Sequence, residues 1–470
     1  MRAGAPVPAL ASAASLGDLL TGKAHEPQRL STRPLLQGTS AKRSYIKIWM
    51  NAIPMISTTE ALAEFCGRLS KSEFIAVDTE FMRQSTYWPQ LCLIQIAAPD
   101  AEAVIDPIGN GMDLAPFFEL MADPKVMKVF HAGRQDIEIV YHLAGIVPLP
   151  VFDTQIAAMV CGFGESVSYG ALVKRLLRKN LDKSSRFTDW SRRPLSDRQL
   201  HYALGDVTYL RGIYTKLKNR LESTGRASWL NEEMAELVNP ATYRTDPEDA
   251  WRRLKMRARS SSELAIMIEV SAWRERAAQG QNVPRSRIIK DDPIYDVIVQ
   301  APTTPEDLGK LRTIHDGFAR SARGRELVEA VRRGLARQPD QIPELELSEP
   351  LPPSAVAVAD LFRVLLKAVA ARHDVAAKLI ATTDELDRIA LDDNADVPAL
   401  YGWRRELFGE DALAIKAGRL GIAVAKGRIV TLPLDAVAAP VNDSAPVFAD
   451  LLDDEEEGEQ PVSALSGQAE

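Results

Sequence analysis

The chain of 470 residues is poor in sulfur and in histidine, with three cysteines (Cys66, Cys92 and Cys161) and six histidines. None of them falls into a Cys-x-x-Cys pair or the Cys/His spacing of a zinc site. This argues against structural zinc and a disulfide framework, and fits a reducing cytoplasm. No stretch approaches the ~18 uninterrupted apolar residues of a membrane helix, so a soluble protein with no membrane partner is expected. Phosphate-binding glycine loops are missing as well. "GFGESVSYG" from Gly162 has Gly-x-Gly without a third glycine, and no Walker sequence occurs, so no nucleotide cofactor is implied.

A basic excess is also missing from the total charge, which is −7. Nine acids and no lysine or arginine lie between Val441 and Glu470, however, so the rest of the chain carries +2. Ala171 to Arg226 holds fourteen Lys or Arg against five acids, and Arg244 to Lys290 eleven against six. A solvated helix face is the ordinary source of such a bias. Its sign is also the one a phosphate backbone requires.

The length implies two to four domains. Residues 1–53 lack a sustained period and read as a disordered extension, faintly like a transit peptide, or as an over-called start with Met50 or Met55 as the natural beginning. Residues 54–230 open with a capping-box spacing, Ser57 to Glu60. Short apolar runs follow, "FIAVDTEF", "LCLIQIAA", "AVIDP" and "VMKVFHA", and then amphipathic segments, one starting at a Ser196 cap. Strands first and helices later predict a mixed α/β domain. Residues 246–337 and 354–435 are helical in pattern, joined by a Pro- and acid-rich linker over 338–353, and 441–470 form an acidic disordered tail. "AKLIATTDELDRIA" from Ala377 echoes "SRIIKDDPIYDVIV" from Ser286 at a shift of 91 residues, which suggests a divergent repeat.

The α/β region contains acids in unusual settings. Asp78 and Glu80 end an apolar strand and, two residues apart, face the same way. Asp136 sits in the first turn of the helix after "HAGRQ", and Asp206 lies one helical turn after Tyr202. Four carboxylates without cysteine or histidine suit hard Mg²⁺ or Mn²⁺ better than zinc. His201, five residues before Asp206, competes with Tyr202 for a place beside the acids. In a regular helix Tyr202 lies about 40° from Asp206 and His201 about 140° away, which favours Tyr202. His131 reads as a strand-end packing residue, and His142, His315 and His373 receive no role. Trp190, Arg192 and Arg193 in "TDWSRRPLS" suit a channel for a nucleic-acid strand or, equally, a structural tryptophan with surface arginines.

Asp78-x-Glu80, Asp136 and Tyr202-x-x-x-Asp206, with their flanks "AVDTEFMRQSTYWPQLCLIQIA", "KVFHAGRQDIEIVY" and "LDKSSRFTDWSRRPLSDRQLHYALGDVTYL", resemble the three motifs of the DEDD exonucleases, tyrosine-containing subgroup, and within it the ribonuclease D family. Trp251, "WRERAA" and "VPRSRIIKDD" are similar to an HRDC domain, and "ALYGWRRELFGEDAL" to that family's divergent second copy. The resemblance implies a mixed sheet flanked by helices, of the ribonuclease H-like exonuclease type, followed by two all-α HRDC-like domains. It implies a 3′-to-5′ exoribonuclease that trims structured RNA such as tRNA precursors and releases nucleoside 5′-monophosphates. Asp78, Glu80, Asp136 and Asp206 would hold two divalent ions about 3.5 to 4 Å apart, Asp78 bridging them, with Tyr202 orienting the attacking water. A cytoplasmic monomer is expected. A 3′-to-5′ DNA exonuclease and a non-catalytic RNA-binding protein on a decayed exonuclease fold are the alternatives.

Overall fold

Alternation between apolar and small or acidic residues makes Phe74–Met82 a strand with two different faces. In the computed structural model, which describes residues 53–434 apart from 110, 183, 184, 186, 187 and 346–349, this strand is β2, near the middle of a six-stranded sheet. The others are β1 (Met55–Ile56), β3 (Gln90–Ala97), β4 (Glu102–Ile105), β5 (Met127–Phe130) and β6 (Val151–Asp153). Their order is β1-β4-β3-β2-β5-β6. β2, β3 and β4 form an antiparallel meander, whereas β5 and β6 add in parallel on the other side of β2. The sheet is therefore mixed, as expected. The calls on residues 1–52 and on the acidic tail lie outside the described residues.

Odd-numbered residues of β2, Ile75 and Val77, pack under helices α1 (Thr59–Leu69), α2 (Ala115–Ala122) and α3 (Arg134–Ala144). The cap of α1 is Thr58, one residue beyond the serine favoured by the capping-box spacing, and its hydroxyl accepts from Ala61 N–H. Ala76, on the even face, lies with Ala97 and Val129 against Val207 and Tyr214 of helices α6 (Asp197–Thr208) and α7 (Leu210–Ser223). Helices α4 (Thr154–Val160) and α5 (Tyr169–Leu172) lie between these in the chain. The domain does not stop at residue 230. Helix α8 (Asn231–Leu237) and a turn ending at Tyr243 return Leu237 and Tyr243 to the same core, Tyr243 beside Tyr141 of α3.

Helix α9 (Ser261–Gln281) is buried along most of its length, and with α10 (Arg285–Ile288), α11 (Asp291–Gln300) and α12 (Ala322–Ala336) it forms an all-helical core. That core takes in Tyr87 from the loop between β2 and β3. Glu275 of α9, 1% exposed, binds Arg285 and Arg253 and accepts from the Tyr87 hydroxyl. Asn282, the left-handed cap of α9, accepts from Tyr87 N–H and Trp88 N–H.

The next region repeats this plan. Helix α13 (Pro353–His373) has the 21-residue length of α9 and ends on a left-handed Asp374, as α9 ends on left-handed Asn282. Helices α14 (Ala377–Ile380) and α15 (Thr383–Leu391) match α10 and α11 at an offset of 92, one residue from the echo in the sequence. After helix α16 (Glu410–Lys416) the region departs from the all-α expectation, because Leu420–Ala425 and Arg428–Pro433 pair as an antiparallel hairpin, β7 and β8. The turn residues Lys426 and Gly427 both have positive φ, the requirement of a two-residue hairpin turn whose twist matches its strands. This region's core is continuous with that of the α/β domain. Phe362, Leu365 and Leu379 pack with Ala157, Leu172 and Leu217. No described helix is long and apolar enough to cross a membrane.

Candidate active site

The site forms where β2 outruns β5. Pairing between them ends at Ala76 opposite Val129, while β2 stays paired to β3 as far as Met82. One edge of β2 is thus open just where Asp78 and Glu80 occur. Both carboxylates share the face of Ala76, toward α6, and a register shift follows between Glu80 and Phe81. Bulges of this kind turn side chains at functional sites.

Helix α6 supplies the opposite wall. Ser196 accepts from Gln199 N–H while the Gln199 side chain accepts from Ser196 N–H, a capping box that fixes where the helix begins. Ala203 and Val207 are buried, which sets the roll of the helix and leaves Tyr202 and Asp206 one turn apart at the cleft. Its far end is tied down by Glu102, which accepts from Thr208 and pairs with Arg211 at 2.6 Å.

Carboxylate oxygens of Asp78, Glu80 and Asp206 lie within 4.8 Å of one another. Asp136 is not in that group of three. Its carboxylate is buried and accepts from Thr79, the residue of β2 that faces the opposite side, at 2.5 Å. After burial itself, Asp136 is nonetheless the strongest influence raising the Asp78 pKa, followed by Asp206 and Glu80. Burial and mutual repulsion lift Asp78 well above the ordinary aspartate range and Glu80 to about 8. Burial carries Asp136 and Asp206 to about 7, opposed by hydrogen bonds from Thr79 and Tyr202 respectively.

Asp136 reaches this cluster through a turn the sequence did not announce. Asp153, at the end of β6, caps α4 and also accepts from Ala132 N–H and Gly133 N–H at 3.1 and 2.8 Å. It thereby holds the bend before α3, in which Ala132 has φ +57° and a Cβ on Gly133 would stand 2.4 Å from that of Phe130. His131 packs at this bend, as expected, with Nδ1 3.0 Å from Thr154 Oγ1. That hydroxyl also donates to Phe130 O. Tyr169, also unmarked in the sequence, donates to Gly205 O at 2.9 Å, and burial, followed by the charges of Asp206 and Asp78, pushes its phenol well up.

Four acids crowded together, Asp136 buried and the other three partly so, call for positive charge. The buried amide of Gln95, directly opposite Asp78 across the sheet, has no hydrogen-bond partner among the described residues. Oxygen donors alone, with an uncommitted amide beside them, fit hard divalent cations and their water. The donor set therefore suits the metal use that the sequence implies.

Tyr202 and His201 occupy different surroundings. Tyr202 donates to Asp206 and its ring lies 6.0 Å from that of Trp190. The His201 Nδ1 sits 2.6 Å from Asp197 O, in the preceding turn of its own helix.

Two residues proposed for a strand channel need correction. Trp190 is 3% exposed and packs with Cys92, Leu93, Val104 and Ala203, so it backs Tyr202 and has no free face for a base. Arg193 binds both oxygens of Asp106 at 2.6 and 2.7 Å and the carbonyls of Cys92 and Trp190 at 2.7 Å. It is a structural lock. Arg192 alone of the three is well exposed, with its guanidinium on Asp189. Arg193→Ala should therefore cost about 2–3 kcal/mol, a buried-pair loss discounted for the arginine's partial exposure. Arg192→Ala should change stability little. Urea midpoints of the two variants measure the contrast, and equal midpoints would refute it.

The family described as 3′-5′ exonuclease matches residues 53–222, and the HRDC domain family matches residues 263–331. The ribonuclease D of Nitrobacter hamburgensis is 53% identical over 376 residues, covering 80% of this chain and 98% of the relative. That of Acidiphilium cryptum is 49% identical over 383 residues, covering 81% and 97%. Among solved structures, Escherichia coli RNase D, described as an exoribonuclease involved in structured RNA processing, superposes with a TM-score of 0.67 at 30% identity, covering 78% of this chain and 99% of that one. The acids at the open edge of β2 lie within the exonuclease match, and the relatives span both it and the helical region, so the chain belongs to the ribonuclease D family of 3′-to-5′ exoribonucleases.

Proposed function

We propose that this protein removes nucleoside 5′-monophosphates one at a time from the 3′ ends of structured RNA, tRNA precursors among them, using Asp78, Glu80, Asp136 and Asp206 to hold two Mg²⁺ or Mn²⁺ ions. The observation that carries this reading is the set of three carboxylates within 4.8 Å, raised in pKa by burial, with Asp136 acting on them from the side. When bound, such ions supply positive charge at the scissile phosphate and lower the pKa of the attacking water. Asp78 feels all three other acids, which makes it the natural shared ligand. Asp136, steadied by Thr79, would hold its ion from the α3 side, and Glu80 and Asp206 from the α6 side.

Tyr202 would position the water. Its hydroxyl proton is committed to Asp206, which leaves oxygen lone pairs to accept a hydrogen bond from that water. A phenol near pKa 10 is a poor base at neutral pH, so the role is orientation. Tyr202→Phe is expected to lower kcat by roughly 10²-fold with little change in KM, the cost of a misplaced nucleophile. His201→Ala should stay within about twofold, and the reverse ranking in single-turnover rates would move the role to His201.

The protein is taken to act as a monomer; light scattering of the purified protein tests it. The three cysteines are buried free thiols, consistent with a cytoplasmic location. The whole reading is tested by nucleotide release from matched 3′-labelled RNA and DNA in Mg²⁺, in Mn²⁺ and in chelator. Metal-dependent release favouring RNA is the expected result, and preference for DNA or release in chelator would overturn it.

A further inference from the structure

We infer that Gln95 is a positioning residue for Asp78, its side-chain amide the donor that fixes how the Asp78 carboxylate meets a metal ion. The inference rests on the reading of Asp78 as a metal ligand. Gln95 is 0% exposed, and neither its Nε2 nor its Oε1 has a hydrogen-bond partner among the described residues. A buried amide in that condition opposes folding unless something else bonds it. Enclosed on all sides, it must find its partner inside the protein.

The register says where that partner lies. β3 runs between β2 and β4, and Gln95 stands directly opposite Asp78 on one side and Val104 on the other. Opposed residues share a face with Cβ atoms about 5 Å apart, and diagonal neighbours stay within reach of long side chains. Helix α6 covers this face with apolar contacts, Ala203 on Leu93 and Val104, and Val207 on Ala76 and Ala97. The turn between Ala203 and Val207 carries Asp206. Among these side chains the sheet offers Gln95 four acids: Asp78 opposite, Glu80 diagonally on β2, and Glu102 and Asp106 two residues to either side of Val104. Glu102 is committed to Arg211 and Thr208, and Asp106 to Arg193. Asp78 and Glu80 remain, and Asp78 is the one directly across.

Because both amide atoms are unused, the side chain can turn toward Asp78 without breaking a hydrogen bond. A carboxylate that holds an ion keeps further lone pairs, and an N–H placed on one of them decides which others face the ion. Gln95 acts through Asp78 and touches neither the ion nor the RNA. The cost of its unpaired amide in the metal-free protein is then the counterpart of a carboxylate already aimed when the ion arrives.

The test uses the full chain, stripped of metal by chelator and desalted, and reads Mn²⁺ binding from the spin-resonance signal of the unbound ion with no RNA present. Gln95→Met keeps the volume and removes the amide. It is expected to weaken Mn²⁺ binding roughly 10- to 100-fold, the usual loss when a metal ligand is deprived of its hydrogen-bond partner. Without metal it should melt no earlier than wild type, since no bond is lost. In nucleotide release the same loss appears as a raised Mn²⁺ half-saturation point, with KM for RNA unchanged. Leu93→Met, a like change two residues along the same face, is the control and should bind Mn²⁺ as wild type does. Unchanged Mn²⁺ affinity in Gln95→Met overturns the inference, and is the result expected if a trapped water serves the amide. Equal weakening in Leu93→Met overturns it as well, because the site then responds to any change in packing. If Gln95→Met does not fold, Gln95→Leu takes its place, and failure of both to fold makes the amide a structural bond and overturns the inference. Wild type that binds no Mn²⁺ overturns both this inference and the metal reading. Failure of the exoribonuclease reading alone looks different: no nucleotide release by wild type in either metal, with the Gln95 effect on Mn²⁺ binding retained.

Discussion

Asp78→Asn is expected to cut nucleotide release by on the order of 10³-fold or more, some 4 kcal/mol of transition-state stabilisation, while the metal-free protein at pH 8 melts no earlier than wild type. Asp78 faces three other acids, and burial and their repulsion hold its carboxyl far above the ordinary range. The amide keeps the shape and one acceptor oxygen but carries no charge. The catalytic loss therefore reports a missing metal ligand, and the folded state loses a repelled anion. Release assays and thermal melts on one preparation separate the two effects. Near-normal release from the folded variant would remove Asp78 from the mechanism. A variant that melts well below wild type at pH 8 would show that the carboxylate holds the strand in place.

Local geometry made the clustered acids legible. Asp78 and Glu80 share a face because strands have a period of two, and Tyr202 and Asp206 share one because helices bring i and i+4 together. Neither relation depends on the rest of the fold. Asp136 was legible as a helix-start acid, but what aims it was not. Thr79 is 57 residues away in sequence, and the bend before α3 is held by Asp153, which looks like an ordinary helix cap. Trp190 and Arg193 were open to a channel reading for the same reason. Composition gives the charge of Arg193 but not Asp106, 87 residues away, and aromatic content does not say which face of a tryptophan is covered. The hairpin at Leu420–Pro433 was missed although its signal, apolar alternation around Lys426-Gly427, was present, because the preceding helical pattern was extended across it.

The helical regions show a similar division. Length, capping and order of α9 to α11 and α13 to α15 follow local rules and repeat at a fixed offset. Their attachments differ. The first region reaches the α/β domain through polar and aromatic groups around Tyr87, Glu275 and Asn282. The second shares a continuous apolar core with it and adds Arg404 on Glu232 and Glu233 and a Trp229–Trp403 stack at 4.3 Å. Loss of Glu275 should loosen the first attachment and leave the second intact.

The stability gap between Asp78→Asn and wild type, both metal-free, is expected to widen in favour of the variant as pH rises from 5 to 8.5. Unfolded, these carboxyls titrate near 4; folded, Glu80 titrates at about 8, Asp136 and Asp206 at about 7 and Asp78 well above its ordinary range. Between those limits the folded protein keeps protons that the unfolded chain has released. Stability from this source is full below pH 4 and is lost as pH rises through 7 to 8, at about 1.4 kcal/mol per pH unit for each proton retained. Other groups act in the same interval with the opposite sign. Burial lowers His131 and His142, so the folded state gains as they lose their protons toward pH 6.5, and Lys128, lowered to about 8, behaves likewise at the alkaline end. Acids held low by arginine, such as Asp106, Glu269 and Glu275, change only below the ordinary carboxylate range. All of these are common to wild type and variant and cancel in the difference, which isolates the catalytic cluster. Saturating Mg²⁺ should restore wild-type stability most at high pH, because binding there displaces the fewest protons. Denaturation of both proteins at pH 5, 7 and 8.5, with and without Mg²⁺, gives twelve stabilities and so the six gaps required. A gap that is flat across pH would mean that water already screens the four acids.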